Sequence, residues 1–139
     1  MSRVMALDIG AKRTGIAVTD PMQIIATGLT TIDAQQLIAY LKEYLRSETV
    51  SLFVVGWPTN CDDSATHGTP IVAKAITQLQ KNFPNIPVQK VDERFTSKMA
   101  KDAMLEMGLK KKQRRDKKLV DEIAATILLQ EYLRSVQGA

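Results

Sequence analysis

The sequence predicts an α/β protein with a mixed five-stranded sheet that begins with an antiparallel hairpin and carries helices on both faces. Two short apolar runs, residues 4–9 and 14–19, flank a turn at 10–13, which is the pattern of a hairpin. Residues 51–56 are too few and too evenly apolar for a helix, so they indicate a strand buried on both faces. Helical and strand patterns alternate after the hairpin, and this order favours a sheet covered by helices.

Local patterns also predict the other elements in the first half of the chain. Residues 23–31, rich in Ile and Thr, predict the third strand. Asp33 stands three residues before Gln36, as in a capping box, and apolar residues then recur at helical spacing, which predicts the first helix. Residues 57–68 are polar and predict a loop after the fourth strand.

The second half predicts three more helices and the last strand. Pro70 suits the first position of a helix, because its missing N–H would make no hydrogen bond there. The fifth strand is predicted at 88–91. Thr96 or Ser97 can cap a third helix, which ends at Gly108, and a fourth helix covers about 117–135. The predicted apolar stripe of the third helix comprises Met99, Ala100, Ala103, Met104 and Met107.

Size, charge and cysteine content narrow the class of protein. With 139 residues, 45% of them hydrophobic, the chain fits a single domain over residues 1–139. The formal net charge of +4 indicates a polyanionic partner. The single Cys61 excludes an internal disulfide, and charges at positions 3 and 8 interrupt the N-terminal apolar segment before signal or membrane length. We therefore expect a soluble cytoplasmic protein without a membrane partner.

Asp8 is an acid inside a strand pattern. Its neighbours Leu7 and Ile9 must point to the other face, so the carboxylate of Asp8 faces one side of the sheet alone. The alternative is that Asp8 accepts hydrogen bonds from the turn amides of Gly10 and Ala11.

Asp121 is the inward acid of the last predicted helix. At about 100° per residue it lies roughly 20° from Leu128, whereas Glu122 points about 100° further round. Ala124 and Ala125, one turn on, are small enough to let the helix approach the sheet closely. The alternative, an acid favoured by the helix macrodipole, fits Asp121 and Glu122 equally.

Glu93 is the third acid and follows a short predicted strand. It lies near Asp8 if the two strands are neighbours, because sites gather at strand ends in open α/β sheets. The alternative is ordinary acidity at a helix start, paired with Arg94. Acids in half-buried positions need a compensating charge, and a divalent cation could use all three, so they predict a metal site for phosphodiester chemistry.

A basic segment, residues 110–118, holds seven cations against one acid and leads into the helix that bears Asp121. A phosphate backbone bound there would lie close to the metal. The alternative is a solvated connection between helices. The candidate nucleic-acid contacts are Lys110, Lys111, Lys112, Arg114, Arg115, Lys117 and Lys118, with Lys12 and Arg13 in the turn after Asp8.

Four segments resemble the YqgF family, also called RuvX. They are ALDIGAKRTGIAVTD at 6–20, VVGWPTN at 54–60, VDERFTS at 91–97 and LVDEIAATILLQEYL at 119–133. The resemblance implies a ribonuclease H-like fold, and it maps the acidic positions of the family onto Asp8 of DIG, Glu93 of DER and Asp121 of VDE. It also suggests supporting roles at the site for Asn60, Arg94 and Thr96.

The same resemblance implies hydrolysis of structured RNA or branched DNA with one or two Mg²⁺ or Mn²⁺ ions. Two ions about 3.5 to 4 Å apart activate a water and stabilise the leaving 3′ oxygen, so no protein nucleophile is needed. Maturation of the 5′ end of pre-16S rRNA is the expected role. Holliday junction resolution is the alternative, and it would require two active sites in a homodimer. Glu122 and Asp92 are the candidates for a fourth carboxylate.

Two further classes of function remain open. The hairpin also resembles the phosphate-binding hairpin of actin-like ATPases, although those proteins close two such domains around a nucleotide. A nucleic-acid-binding module without catalysis would keep the fold and the basic segment. His67 in the polar loop is expected to be solvated, and without a His or Cys cluster zinc is not predicted. Trp57 either stacks on a base or covers the core.

Overall fold

The structure is a computed structural model that describes residues 2–58, 69–92, 96–106, 108 and 116–137. Its strands are β1 Arg3–Ile9, β2 Arg13–Thr19, β3 Ala26–Asp33, β4 Val50–Trp57 and β5 Val88–Asp92. Its helices are α1 Leu37–Tyr44, α2 Thr69–Asn82, α3 Thr96–Glu106 and α4 Lys117–Gln137, with a 3₁₀ turn at Ala34–Gln36 before α1. No helix in these described ranges is long and apolar enough to cross a membrane.

The five strands form one mixed sheet in the order β3-β2-β1-β4-β5. β1 is antiparallel to β2, and β2 to β3, whereas β4 is parallel to both β1 and β5. The predicted mixed sheet with a leading hairpin is therefore confirmed. β1, β4 and β5 all end at the same border of the sheet, at Ile9, Trp57 and Asp92. We call this border the carboxyl edge.

Helices cover both faces of the sheet, as predicted. Met5 and Leu7 of β1 pack in one core cluster with residues of α1 and α2. Val4 and Ala6 lie in a second cluster with Ala125 and Leu128 of α4. Side chains alternate along a strand, so Asp8 follows Val4 and Ala6 onto the α4 face.

Two predicted boundaries near β3 are wrong for local reasons. β3 starts at Ala26 rather than at residue 23, because the carboxylate of Asp20 accepts hydrogen bonds from the N–H groups of Ile24 at 2.8 Å and Ile25 at 2.7 Å. These bonds close a turn, so the chain is not extended before Ala26. Asp33 makes no side-chain cap, so the predicted capping box is also wrong. The chain enters α1 through the 3₁₀ turn instead.

α3 packs on α4 rather than on the sheet. Ala103 of α3 is partly buried against a cluster formed by Ala124 and Ile127, so α4 lies between α3 and the sheet. Among its described side chains, α3 buries a narrower stripe than predicted: Met104 is fully buried, but Met99 is 40% exposed. The side chain of Ala100 and all of Met107 lie outside the described residues.

Candidate active site

A cleft of about 460 Å³ at the carboxyl edge brings Asp8 of β1 and Asp121 of α4 together. The two acids come from opposite ends of the chain and both are half-buried. The rest of the lining is Gly10, Ala11, Lys12, Arg13 and Lys117. The cleft therefore combines two carboxylates with three basic side chains that sequence reasoning had singled out.

Gly15 allows α4 to reach Asp8. It pairs with Asp8 across the hairpin, where opposite Cα atoms are about 4.5 to 5.5 Å apart. The backbone of α4 lies directly on it, since a Cβ added at Gly15 would stand 2.1 Å from the carbonyl oxygen of Asp121. Sequence reasoning assigned the close approach to Ala124 and Ala125, which are indeed buried, and missed Gly15. A glycine inside a strand pattern was the available signal, because it often marks close backbone approach.

Asp116 sets the start of α4, and sequence reasoning also missed it. Its Oδ1 accepts hydrogen bonds from the N–H groups of Lys118 at 3.0 Å and Leu119 at 3.4 Å, as an N-cap residue does. The hydroxyl of Thr31 on β3 donates to the carbonyl oxygen of Lys118 at 2.6 Å. The single acid of the basic segment therefore caps the helix that carries Asp121, and Thr31 ties the first turn of that helix to β3.

Arg13 forms an ion pair with Asp121 across the cleft. Its Nε donates to Oδ2 of Asp121 at 2.9 Å, and the two side chains are 27% and 26% exposed. Arg13 was expected only as a phosphate contact, so this pairing was not foreseen. The turn that holds Arg13 is closed by the N–H of Gly10, which donates to the carbonyl oxygen of Arg13 at 2.9 Å. That amide, one of the two donors in the alternative role of Asp8, is therefore used within the turn.

The two candidates for a fourth carboxylate lie away from this cleft. The side chain of Glu122 lies over β3, where a Cβ at Gly28 would stand 2.9 Å from its Cγ. It lines a separate cleft with Lys118. Asp92 follows Val91, which packs on the α4 side, so the alternation of the strand turns Asp92 to the other face.

The position of β5 corrects one premise about Glu93. β5 is not a neighbour of β1, because β4 lies between them. At about 4.8 Å per strand, β1 and β5 are roughly 10 Å apart. Thr96 begins α3, but its side chain is outside the description. The other predicted residues outside the described part of the chain are Asn60, Cys61, His67, Glu93, Arg94, Lys110, Lys111, Lys112, Arg114 and Arg115.

Trp57 covers the core on the face opposite Asp8. It ends β4 and packs against the cluster between the sheet and helices α1 and α2. The Nζ of Lys90 lies 4.0 Å from the centroid of its ring, in a cation–π contact. The structure therefore favours the interpretation in which Trp57 covers the core over the one in which it stacks on a base.

The described residues provide some of the ligands that a divalent cation needs. Within the described ranges, no group of three His, Cys, Asp or Glu side chains could hold a metal ion. Asp8 and Asp121 nevertheless offer two carboxylates to one cleft, and Mg²⁺ is usually held by one or two carboxylates together with substrate phosphates. The oxygen donors suit Mg²⁺ or Mn²⁺ rather than a metal that prefers nitrogen or sulfur.

The sheet and its helices have a ribonuclease H-like fold. RuvC of T. thermophilus in complex with a Holliday junction substrate is similar in fold, with a TM-score of 0.60 and 17% identity over 99% of this chain and 97% of that one. Another structure of Thermus thermophilus RuvC has a TM-score of 0.55 and 15% identity over 98% of this chain and 96% of that one.

The chain belongs to the RuvX family of Holliday junction resolvases, whose model matches residues 2–135. A relative from Flavobacterium psychrophilum, named as a candidate pre-16S rRNA nuclease, is 52% identical over 96% of this chain and 97% of its own length. A relative of the same name from Christiangramia forsetii is 50% identical over 96% of this chain and 98% of its own. The chain is accordingly a nuclease, a hydrolase acting on phosphodiester bonds. The ribonuclease H-like prediction is confirmed.

Proposed function

We propose that this nuclease depends on Mg²⁺ or Mn²⁺ and matures the 5′ end of pre-16S rRNA, with Asp8, Glu93 and Asp121 as its metal ligands. The observation that carries the proposal is the meeting of Asp8 and Asp121 in one cleft walled by basic side chains. The names of the relatives support the choice of substrate. Ribosomal RNA maturation takes place in the bacterial cytoplasm, which is where we expect a single nuclease domain over residues 1–139 to act.

The proposed place of Glu93 rests on the strand that precedes it. Asp92 ends β5 at the carboxyl edge, so Glu93 is the next residue along the chain. Val91, two residues before Glu93, faces α4, and so does Val54 of β4. The period of two then assigns Gly56 to the same face, and a glycine leaves the space between β1 and β5 without a side chain. A cation about midway across this gap would lie about one strand spacing from the end of β1 and from the end of β5.

The residues of the cleft would have different roles in phosphodiester hydrolysis. A bound divalent cation supplies the activation of a water and the stabilisation of the leaving 3′ oxygen. Asp8 presents its carboxylate from the central strand of the sheet, and α4 positions Asp121 opposite it over Gly15. Lys12 and Lys117 line the cleft, and we expect them to bind phosphates of the substrate. The remaining cations of the basic segment would extend this contact along the substrate.

Holliday junction resolution is the second candidate activity. The family description favours it, and RuvC in complex with a junction shares the fold. Symmetric cleavage of a junction would need a homodimer with two such clefts. The family match over most of the chain weighs against the actin-like ATPase alternative, and a nucleic-acid-binding module without catalysis would retain the substrate affinity alone.

The deciding experiment compares wild type, Asp8→Asn and Glu131→Gln on two substrates, a precursor of 16S rRNA and a four-way DNA junction, with Mg²⁺, Mn²⁺ or EDTA. Glu131 is the matched control, because it lies on α4 and pairs with Arg134 rather than facing the cleft. We expect metal-dependent cleavage of the RNA by wild type and Glu131→Gln, and none by Asp8→Asn. Equal cleavage by Asp8→Asn would refute the proposed site. Cleavage of the junction alone would favour the resolvase, and binding without cleavage would favour the non-catalytic module.

A further inference from the structure

Arg13 is a cation that contacts a proposed metal ligand in the structure. Its Nε contacts Oδ2 of Asp121 at 2.9 Å, at the wall of the same cleft that Asp8 lines. We propose that Arg13 competes with the divalent cation for Asp121, and that metal binding releases the guanidinium to hold a substrate phosphate. This inference rests on the proposed function, because it assumes that Asp121 binds the metal.

The backbone of Arg13 is held, so a change of partner involves only the side chain. Arg13 begins β2 and pairs with Asp33 of β3. The turn before it is fixed by hydrogen bonds from the N–H of Gly10 to the carbonyl oxygen of Arg13 and from the N–H of Ala34 to that of Lys12, both 2.9 Å. The side chain itself is 27% exposed, and solvent reaches it from the cleft. It can therefore turn from Asp121 toward a ligand in the cleft without disturbing the sheet.

The chemistry of the guanidinium suits both partners. It stays charged in proteins, and its planar donors match a carboxylate as well as a phosphate. A divalent cation needs a carboxylate oxygen of Asp121, and it repels a positive group already bound there. The two cations therefore bind Asp121 in competition. Once displaced, Arg13 remains in the cleft beside Lys12 and Lys117, where a phosphate can accept its hydrogen bonds.

This competition couples the binding of metal to the binding of substrate. Metal binding frees Arg13 for the phosphate, so the metal raises the affinity for nucleic acid through Arg13, and nucleic acid must raise the affinity for metal by the same factor. A purely structural tether between the hairpin and α4 predicts a different result. Loss of such a tether would leave Asp121 less well placed and would weaken metal binding.

The first test measures Mn²⁺ affinity without nucleic acid, by calorimetry and by electron paramagnetic resonance of free Mn²⁺, at constant ionic strength. We expect Arg13→Gln to bind Mn²⁺ more tightly than wild type by up to about fivefold, the upper end of the range for removal of one partly exposed ion pair. Arg13→Lys keeps the charge and should lie between the two. Arg3→Gln is the matched control and should bind as wild type does, because it removes the Arg3–Glu48 pair of 3.1 Å at the other end of β1.

Equal or weaker Mn²⁺ binding by Arg13→Gln, with Arg13→Lys unchanged, would overturn the competition while leaving the metal site intact. Absence of Mn²⁺ binding by wild type would overturn the proposed metal site and the inference together. The two failures are therefore distinguishable.

The second test measures binding of a pre-16S rRNA fragment in EDTA and in Ca²⁺, which occupies oxygen sites, over a range of salt concentrations. Arg13→Gln should weaken RNA binding in Ca²⁺ and lower the salt slope by about 0.7 to 0.9, the value of one phosphate contact. In EDTA it should change RNA binding little, because Asp121 holds Arg13. An equal loss in both conditions would show that Arg13 binds phosphate independently of the metal and would overturn the coupling.

Discussion

Replacement of Gly15 by alanine tests whether the approach of α4 to the sheet builds the cleft. The added Cβ would lie 2.1 Å from the carbonyl oxygen of Asp121 and 2.5 Å from its carbonyl carbon. Both atoms are backbone, so no side chain can turn away to make room. Ordinary contact begins at 3.4 Å, so the helix would have to move outward by about 1.3 Å.

The magnitude of the effect follows from this displacement. Overpacking of a well-packed interior costs about 1 to 3 kcal/mol, which corresponds to a fall in Tm of roughly 3 to 9 °C for a chain of this size. A misplacement of about 1 Å in a catalytic group can cost about 100-fold in rate. Gly15→Ala should therefore lower kcat/KM by about two orders of magnitude while the protein still folds.

Gly28→Ala is the matched control for this prediction. Gly28 also lies under α4, but its added Cβ would meet side-chain atoms of Glu122 at 2.9 Å and the hydroxyl of Thr126 at 3.0 Å. The flexible side chain of Glu122 can move, so we expect a smaller loss of stability and near wild-type cleavage. The assay combines urea unfolding with cleavage of the precursor RNA. If Gly15→Ala is as stable and as active as Gly28→Ala, the contact between α4 and the hairpin does not position Asp121.

Three further predictions concern Asp121 and two other acids. Asp121→Asn should lower the free energy of unfolding in EDTA by up to about 1 kcal/mol, because it removes the partly exposed pair with Arg13, and a gain in urea resistance would contradict this. Asp116→Ala should cost about 1 kcal/mol through loss of the N-cap of α4 while Asp116→Asn retains most of it, as urea unfolding can show. Hydrogen bonds from backbone N–H groups, that of Ile25 first, hold the pKa of Asp20 below its ordinary 3.8, so its stabilising contribution is present above that pH and is lost as the pH falls through the lowered value. Asp20→Ala should therefore have a lower Tm than wild type at pH 7, and the difference in Tm should shrink below about pH 4. A difference in Tm that does not change with pH would count against the argument.

Local sequence patterns predicted most of the secondary structure. The hairpin, the buried strand β4 and the start of α2 at Thr69 each follow from periodicity or proline chemistry within a few residues. The late start of β3 and the absent capping box have local causes, in the turn at Asp20 and at Asp33 itself. The other failures arose where a residue distant in the sequence decided the outcome. Met99 is exposed although it belongs to the predicted stripe, because α3 packs on α4 and a helical wheel of α3 cannot show which element it meets.

At the candidate site, too, local features could be predicted from the sequence and long-range contacts could not. Alternation along the strand correctly turned Asp8 away from Leu7 and Ile9, and the wheel correctly separated Asp121 from Glu122. The roles of these acids as metal ligands remain predictions, as does that of Glu93. Sequence reasoning placed Arg13 in the right turn but predicted only a contact with substrate phosphate. An ion pair with Asp121, which is so distant in the chain, leaves no local pattern.

The sequence by itself determined the class of fold, the face of the sheet that Asp8 occupies and the inward direction of Asp121, because these depend on periodicities of two and 3.6 residues that are written locally. Only the tertiary structure decided that β4 separates β1 from β5, that Gly15 admits the backbone of α4, and that Arg13 holds Asp121. Those features are contacts between distant segments, and they exist only after the sheet has been ordered and α4 has packed on it.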